Sequence, residues 1–104
     1  MKYQILKTDK AEDQIRSMIH YIADESGDVM VVLAYLDKME KAIERLEDLA
    51  ESGHVPRYSI LKKQGYRVVI MDKHLAFYKV NHEEKKVIVY AVVDGRQEYR
   101  RLIE

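Results

Sequence analysis

The sequence predicts an α+β fold. An N-terminal strand and an antiparallel helical hairpin come first, the hairpin packed on one face of a mainly antiparallel four-stranded sheet (βααβββ), and a short arginine-rich tail closes the chain. Three observations predict it. Two segments in the first half carry apolar residues at spacings of three and four, the signature of amphipathic helices. A three-residue polar break, Ser26-Gly27-Asp28, lies between them. Residues 65–104 then hold β-branched and aromatic runs separated by short polar turns, the spacing of a β-meander.

Tyr3 to Lys7 reads as the first strand. Thr8 and Asp9 start a helix, since threonine can accept a backbone N–H bond and an acid complements the helix N-terminal dipole. Ala11, Ile15, Met18, Ile19 and Ile22 form its apolar stripe, and it ends near Glu25, where Gly27 tolerates a left-handed cap. A second helix is predicted from about Val29 to Ala50, with Val29, Val32, Leu33, Leu36, Met39, Ile43, Leu46 and Ala50 facing inward. So short a break pairs the two helices antiparallel. Glu51 to Arg57 is a loop with the only proline, and Tyr58 to Gln64 is predicted as one helical turn. Strands are expected at 66–71, 74–81 and 86–93, their short connections forcing antiparallel neighbours. Val68, Ile70, Leu75, Phe77, Val87, Val89 and Ala91 alternate as one buried face.

At 104 residues the chain is one domain, 1–104, able to bury about two-thirds of its unfolded surface. It has no cysteine, so disulfides, thiolate metal sites and a cysteine nucleophile are excluded, in keeping with a reducing cytoplasm. Its longest apolar run, Val29 to Leu36, is too short to span a bilayer, and Met1 to Lys7 lacks a signal-peptide core, so a cytoplasmic protein without a membrane partner is expected. The net charge of zero conceals an asymmetry: residues 1–51 hold 7 Lys and Arg against 12 Asp and Glu, and residues 52–104 hold 11 against 6. A basic sheet half, with Arg67, Lys79 and Lys86 rimming the face opposite the helices, suits an anionic ligand such as a nucleic acid or an acidic protein segment. His20, His54, His74 and His82 are scattered without metal-ligand spacing, so no metal is expected. His74, at a strand start beside Lys73, is the one histidine with the setting of an acid or base. Arg96 follows an Asp94-Gly95 turn that does not itself need an arginine, and Arg100 and Arg101 carry charge toward a partner or complement a last helical turn.

Several motifs, taken in order, resemble the RelE/ParE superfamily of toxins from type II toxin–antitoxin systems of the plasmid-stabilisation kind. They are Gly65-Tyr66-Arg67, the strand His74-Leu75-Ala76-Phe77-Tyr78-Lys79-Val80, the turn Val93-Asp94-Gly95-Arg96-Gln97-Glu98-Tyr99, and His20-Tyr21-Ile22-Ala23 in the first helix. The resemblance covers nearly the whole chain and is closer to the ParE type. It implies a toxin that needs no cofactor and is held inactive by a cognate antitoxin, whose acidic tail would meet Lys79 and Lys86. ParE-type members inhibit DNA gyrase without cutting nucleic acid, and Arg67, Arg96, Tyr99, Arg100 and Arg101 are then the target-binding candidates. RelE-type members are endoribonucleases that cleave mRNA on the ribosome with basic strand residues and a C-terminal arginine and tyrosine; here that set would be Arg67, His74, Arg96 and Tyr99. It is incomplete, because the position two after Arg67 is Val69 and the next strand opens on His74-Leu75. The gyrase reading is therefore preferred over mRNA cleavage, with an inactive, diverged binding module as a third possibility.

Overall fold

The computed structural model describes residues 2–95. It runs β1 (Gln4–Lys7), α1 (Asp9–Ser26), α2 (Val29–Glu44), a short 3₁₀ turn (Arg45–Glu47), α3 (Ser59–Lys63), β2 (Arg67–Met71), β3 (His74–Asn81) and β4 (Lys86–Asp94). The sheet order is β1-β4-β3-β2, with β1 parallel to β4 and the other two pairs antiparallel. The expected βααβββ arrangement is the observed one.

Local chemistry starts and stops these elements as the sequence indicates. Thr8 Oγ1 accepts from Ala11 N at 3.1 Å, Gly27 ends α1 at φ 61°, and Asp28 caps α2 by accepting from Met30 N at 2.9 Å. The second helix ends earlier than expected, at Glu44 rather than near Ala50. The reason is a tertiary bond that periodicity cannot reveal: Tyr3 N donates to Glu47 O at 2.9 Å, tying the chain before β1 to the 3₁₀ turn, while Leu46 and Ala50 stay buried. The first two turns of α2 also overshoot the core. Val29 and Leu33, expected inside, are exposed together with Met30 and Val31.

The predicted single buried face needs correction, because the sheet carries apolar residues inward on both sides. Against α1 and α2 lie Met71, Ala76, Tyr78, Val87, Val89 and Val92, packed with Ala11, Met18, Met39, Ile43 and Leu46. On the other side Val68, Phe77, Ala91 and Val93 pack beneath Leu61 of α3. Ile70, placed inside by alternation, is 55% exposed on the edge strand. A β-bulge explains the split of β4: Phe77 pairs with Ala91 but Tyr78 pairs with Val89, leaving Tyr90 as the extra residue. Val87 and Val89 therefore face the helices while Ala91 faces away. Thr8 pins this bulge, its N–H donating to Val89 O at 3.0 Å and its hydroxyl to Tyr90 O at 3.1 Å. Beyond the end of β1, the Gln14 side chain takes over, accepting from Val92 N at 2.8 Å.

Candidate functional site

The candidate residues on the described chain separate into three places. The first is the loop after the 3₁₀ turn. Arg67 Nη1 donates to Glu51 O at 3.1 Å and Gly53 O at 3.3 Å, and its Nη2 lies 3.9 Å from the Glu51 carboxylate. Beside it Tyr78, fully buried, accepts from Gly53 N at 2.9 Å. Arg67 thus faces this loop rather than rimming the open sheet face as the sequence suggested, and its donors fasten residues 51–53 to the sheet. In register it sits opposite Tyr78, four residues along β3 from His74, a separation of about 13 Å at roughly 3.3 Å per residue. The structure does not bring Arg67 and His74 together.

The second place is the end of the sheet where β2 turns into β3. Asp72 makes that turn at φ 62°, a left-handed conformation that aspartate tolerates better than most side chains. His74 pairs in register with both Met71 and Asp94, and Gly95 N donates to Lys73 O at 2.8 Å, so the chain leaves β4 beside the turn. Arg96, Tyr99, Arg100 and Arg101 follow but lie outside the described residues. Sequence reasoning missed Tyr35 here. From α2 its hydroxyl reaches Met71 O at 2.9 Å and His74 Nδ1 at 2.5 Å, with the two rings edge to face, 5.5 Å apart. Its only sequence signal was a hydroxyl within an otherwise aliphatic run. A cleft of about 840 Å³ adjoins, lined by Gln14, Met18, Tyr21, His74, Val92 and Asp94 among others.

The third place is the sheet face away from the helices. Lys79 lies opposite Ile88 and Lys86 opposite Asn81, which sets both lysines on that face. The Lys79 ammonium stands 4.5 Å from the centre of the Tyr66 ring and 5.3 Å from that of Tyr90, while Lys86 lies 3.8 Å from the Glu84 carboxylate. The two tyrosines, edge to face at 5.6 Å, make a half-buried aromatic floor under a held positive charge. Among the described residues no three His, Cys, Asp or Glu side chains gather as a metal site, and no described helix is long and apolar enough to cross a membrane.

Two phenols give the fold a signature at high pH. Burial holds the Tyr35 hydroxyl above its ordinary pKa of 10.0, helped by the negative charges of Asp72 and Asp94. Burial likewise raises Tyr78, helped by Glu51 and opposed by the bond from Gly53 and the charge of Arg67. A group whose folded pKa is raised favours the folded state while the unfolded form stays neutral. The contribution is whole below pH 10 and lost as pH rises through the higher folded values. Urea midpoints are expected to fall as pH rises above 10, and to fall less steeply for Tyr78→Phe. An equal slope in the two proteins would show that Tyr78 ionises alike folded and unfolded.

The βααβββ frame is one that this chain shares with known proteins. The profile of the ParE toxin of type II toxin–antitoxin systems (parDE) matches residues 5–99, and the chain belongs to that family. Its fold is that of a chain in the RelBE2 toxin–antitoxin complex from Mycobacterium tuberculosis, with a TM-score of 0.62 and 15% identity over 90% of this chain and 99% of that one. It is also that of a chain in the chromosomal ParDE system of P. aeruginosa, with a TM-score of 0.73 and 13% identity over 89% and 96% of the two chains. No curated protein matches it in sequence.

Proposed function

We propose that this toxin is neutralised by an antitoxin encoded beside it and acts by inhibiting DNA gyrase. The match to the ParE family across residues 5–99 carries the reading. The position of Arg67 supports it: an arginine committed to the carbonyls of Glu51 and Gly53, remote from His74, is poorly placed to neutralise a phosphate under attack by a 2′-hydroxyl that His74 would deprotonate. Target contact is assigned to the end of the sheet where Arg96 follows Gly95. The antitoxin tail is assigned to the face of Lys79 and Lys86. A second reading, mRNA cleavage on the ribosome, draws on the Tyr35–His74 contact, a hydroxyl and an imidazole at proton-transfer distance.

Expression of the chain alone is expected to arrest growth, and co-expression of the neighbouring frame to restore it. Purified protein is expected to block gyrase supercoiling and leave ribosome-bound mRNA intact. A-site cleavage in its place would transfer the function to the second reading, and normal growth at verified folded expression would remove both.

Reversing Lys79 and Lys86 to Glu is expected to weaken the antitoxin complex roughly tenfold, with an affinity in the parent that falls as salt rises. Reversing Lys38 and Lys41 on α2 is the control, since Lys41 already pairs with Asp37 at 3.1 Å on an exposed helix face. Equal losses by calorimetry would move the antitoxin off the sheet face.

A further inference from the structure

Residues 29–36 read Val-Met-Val-Val-Leu-Ala-Tyr-Leu, an unbroken apolar run of which a helix can turn only part toward its core. At about 100° per residue, Val29, Met30, Leu33 and Ala34 share one side of α2, turned away from the buried Met39 and Ile43. All four are exposed, Val29 at 71%, Met30 at 70% and Leu33 at 52%. Side chains so open leave on the order of 300 Å² of contiguous apolar surface, the size of patch that on a soluble chain often serves a function. This face is framed by charge of both signs. Asp24, Glu25 and Asp28 lie exposed at the end of the hairpin where α2 begins, and Lys38 and Lys41, also exposed, follow one and two turns beyond Ala34.

We propose that this face docks a second copy of the chain, the two α2 helices meeting antiparallel across a two-fold axis at the level of Val31 and Val32. A two-fold contact sets one patch against itself, so that residue i meets j and j meets i. In this register Met30 of each copy meets Leu33 of the other and Val29 meets Ala34, which uses every apolar residue of the face. Because the helices run in opposite directions, Lys38 and Lys41 of each copy pass beside Asp24, Glu25 and Asp28 of the other. A parallel pair would set acid against acid and align the two helix dipoles. The face counted twice, with the lysine stems and the hairpin ends beside it, comes to roughly 1,000 Å², the lower bound for a specific contact, so the pair is a weak, micromolar one. An acidic antitoxin tail suits the face less, since it would meet Asp24, Glu25 and Asp28 with like charge. Its assigned place, beside Lys79 and Lys86, lies on the sheet face away from the helices and stays open in the pair. The proposal is independent of the toxin reading.

Sedimentation of the whole chain is the test. The parent is expected to pass from monomer to dimer as its concentration rises through the micromolar range. Leu33→Glu is expected to raise the dissociation constant at least about tenfold, with its near-ultraviolet spectrum unchanged. Two charge variants test the orientation, one carrying Asp24→Lys and Glu25→Lys and the other Lys38→Glu and Lys41→Glu. Each alone is expected to pair about tenfold more weakly than the parent, because like charges then meet at both ends of the contact. An equal mixture of the two is expected to pair as well as the parent, since every lysine end again faces an acid end. A parent that stays monomeric throughout, a Leu33→Glu variant that pairs like the parent, or a mixture no better than its components would each overturn the proposal. A monomeric parent whose antitoxin complex is weakened by Leu33→Glu would overturn it too and give the face to the antitoxin.

Discussion

Gly53→Ala is expected to cost about 2–4 kcal/mol, the largest stability loss expected from Ala at any of the four glycines. A Cβ there would stand 2.4 Å from the Tyr78 hydroxyl and 2.9 Å from Val68 O. Neither can yield cheaply. Tyr78 is fully buried in the core beneath the helices, and Val68 O already accepts from His54 N at 2.8 Å. The methyl group therefore pushes the loop outward, breaking the bond from Gly53 N and loosening both carbonyls that Arg67 holds. Gly27→Ala is the natural comparison, because no atom lies within 4 Å and the strain comes only from φ 61°. Its cost should be about 1 kcal/mol. Urea unfolding measures both. Equal midpoint shifts would mean that the loop does not rest on Tyr78 and that Arg67 is free to act elsewhere.

Arg96→Ala is expected to abolish growth arrest while leaving the urea midpoint within about 0.5 kcal/mol of the parent. Arg67→Ala should behave the other way, losing about 1 kcal/mol of stability through the loop and keeping arrest wherever the chain remains folded. The reasoning is one of division of labour: Arg67 spends its donors on this chain, whereas Arg96 follows a turn that is already closed by the bond from Gly95 to Lys73. Viable counts beside unfolding curves separate the two arginines. If Arg67→Ala abolishes arrest with unchanged stability, Arg67 belongs to the target surface as the sequence suggested. Full arrest by Arg96→Ala would remove the turn from the target surface.

Much of this architecture was legible because it is written locally. The run His74 to Asn81 has the observed bounds of β3, the two residues Asp72-Lys73 fix the hairpin, and Thr8, Gly27 and Asp28 mark helix ends with their own side chains or backbone freedom. What escaped is non-local. The bulge at Tyr90 changes which face Ala91 occupies without changing any residue type, so strict alternation assigned it to the wrong side. The early end of α2 depends on Tyr3, more than 40 residues away. Arg67 and Lys79 look equivalent as cations on strands, yet one faces a loop and the other two aromatic rings. Tyr35 meets a histidine 39 positions later, and a tyrosine inside an apolar run gives no sign that its hydroxyl has such a partner.

The pairing of the first strand with the last has a consequence for the order of events during synthesis. β1 has one neighbour in the sheet, and Gln4 meets Lys86 only after nearly the whole chain has been made. Until β4 leaves the ribosome, β1 has no ladder, and the apolar stripe of the helical hairpin lacks Val87, Val89 and Val92 to cover it. Such long-range closure is slow and cannot be replaced by local contacts. A nascent chain stopped in the 82–85 turn is therefore without its native core, which closes only when β4 is added. A partner that binds only the finished sheet face would have nothing to bind before that moment.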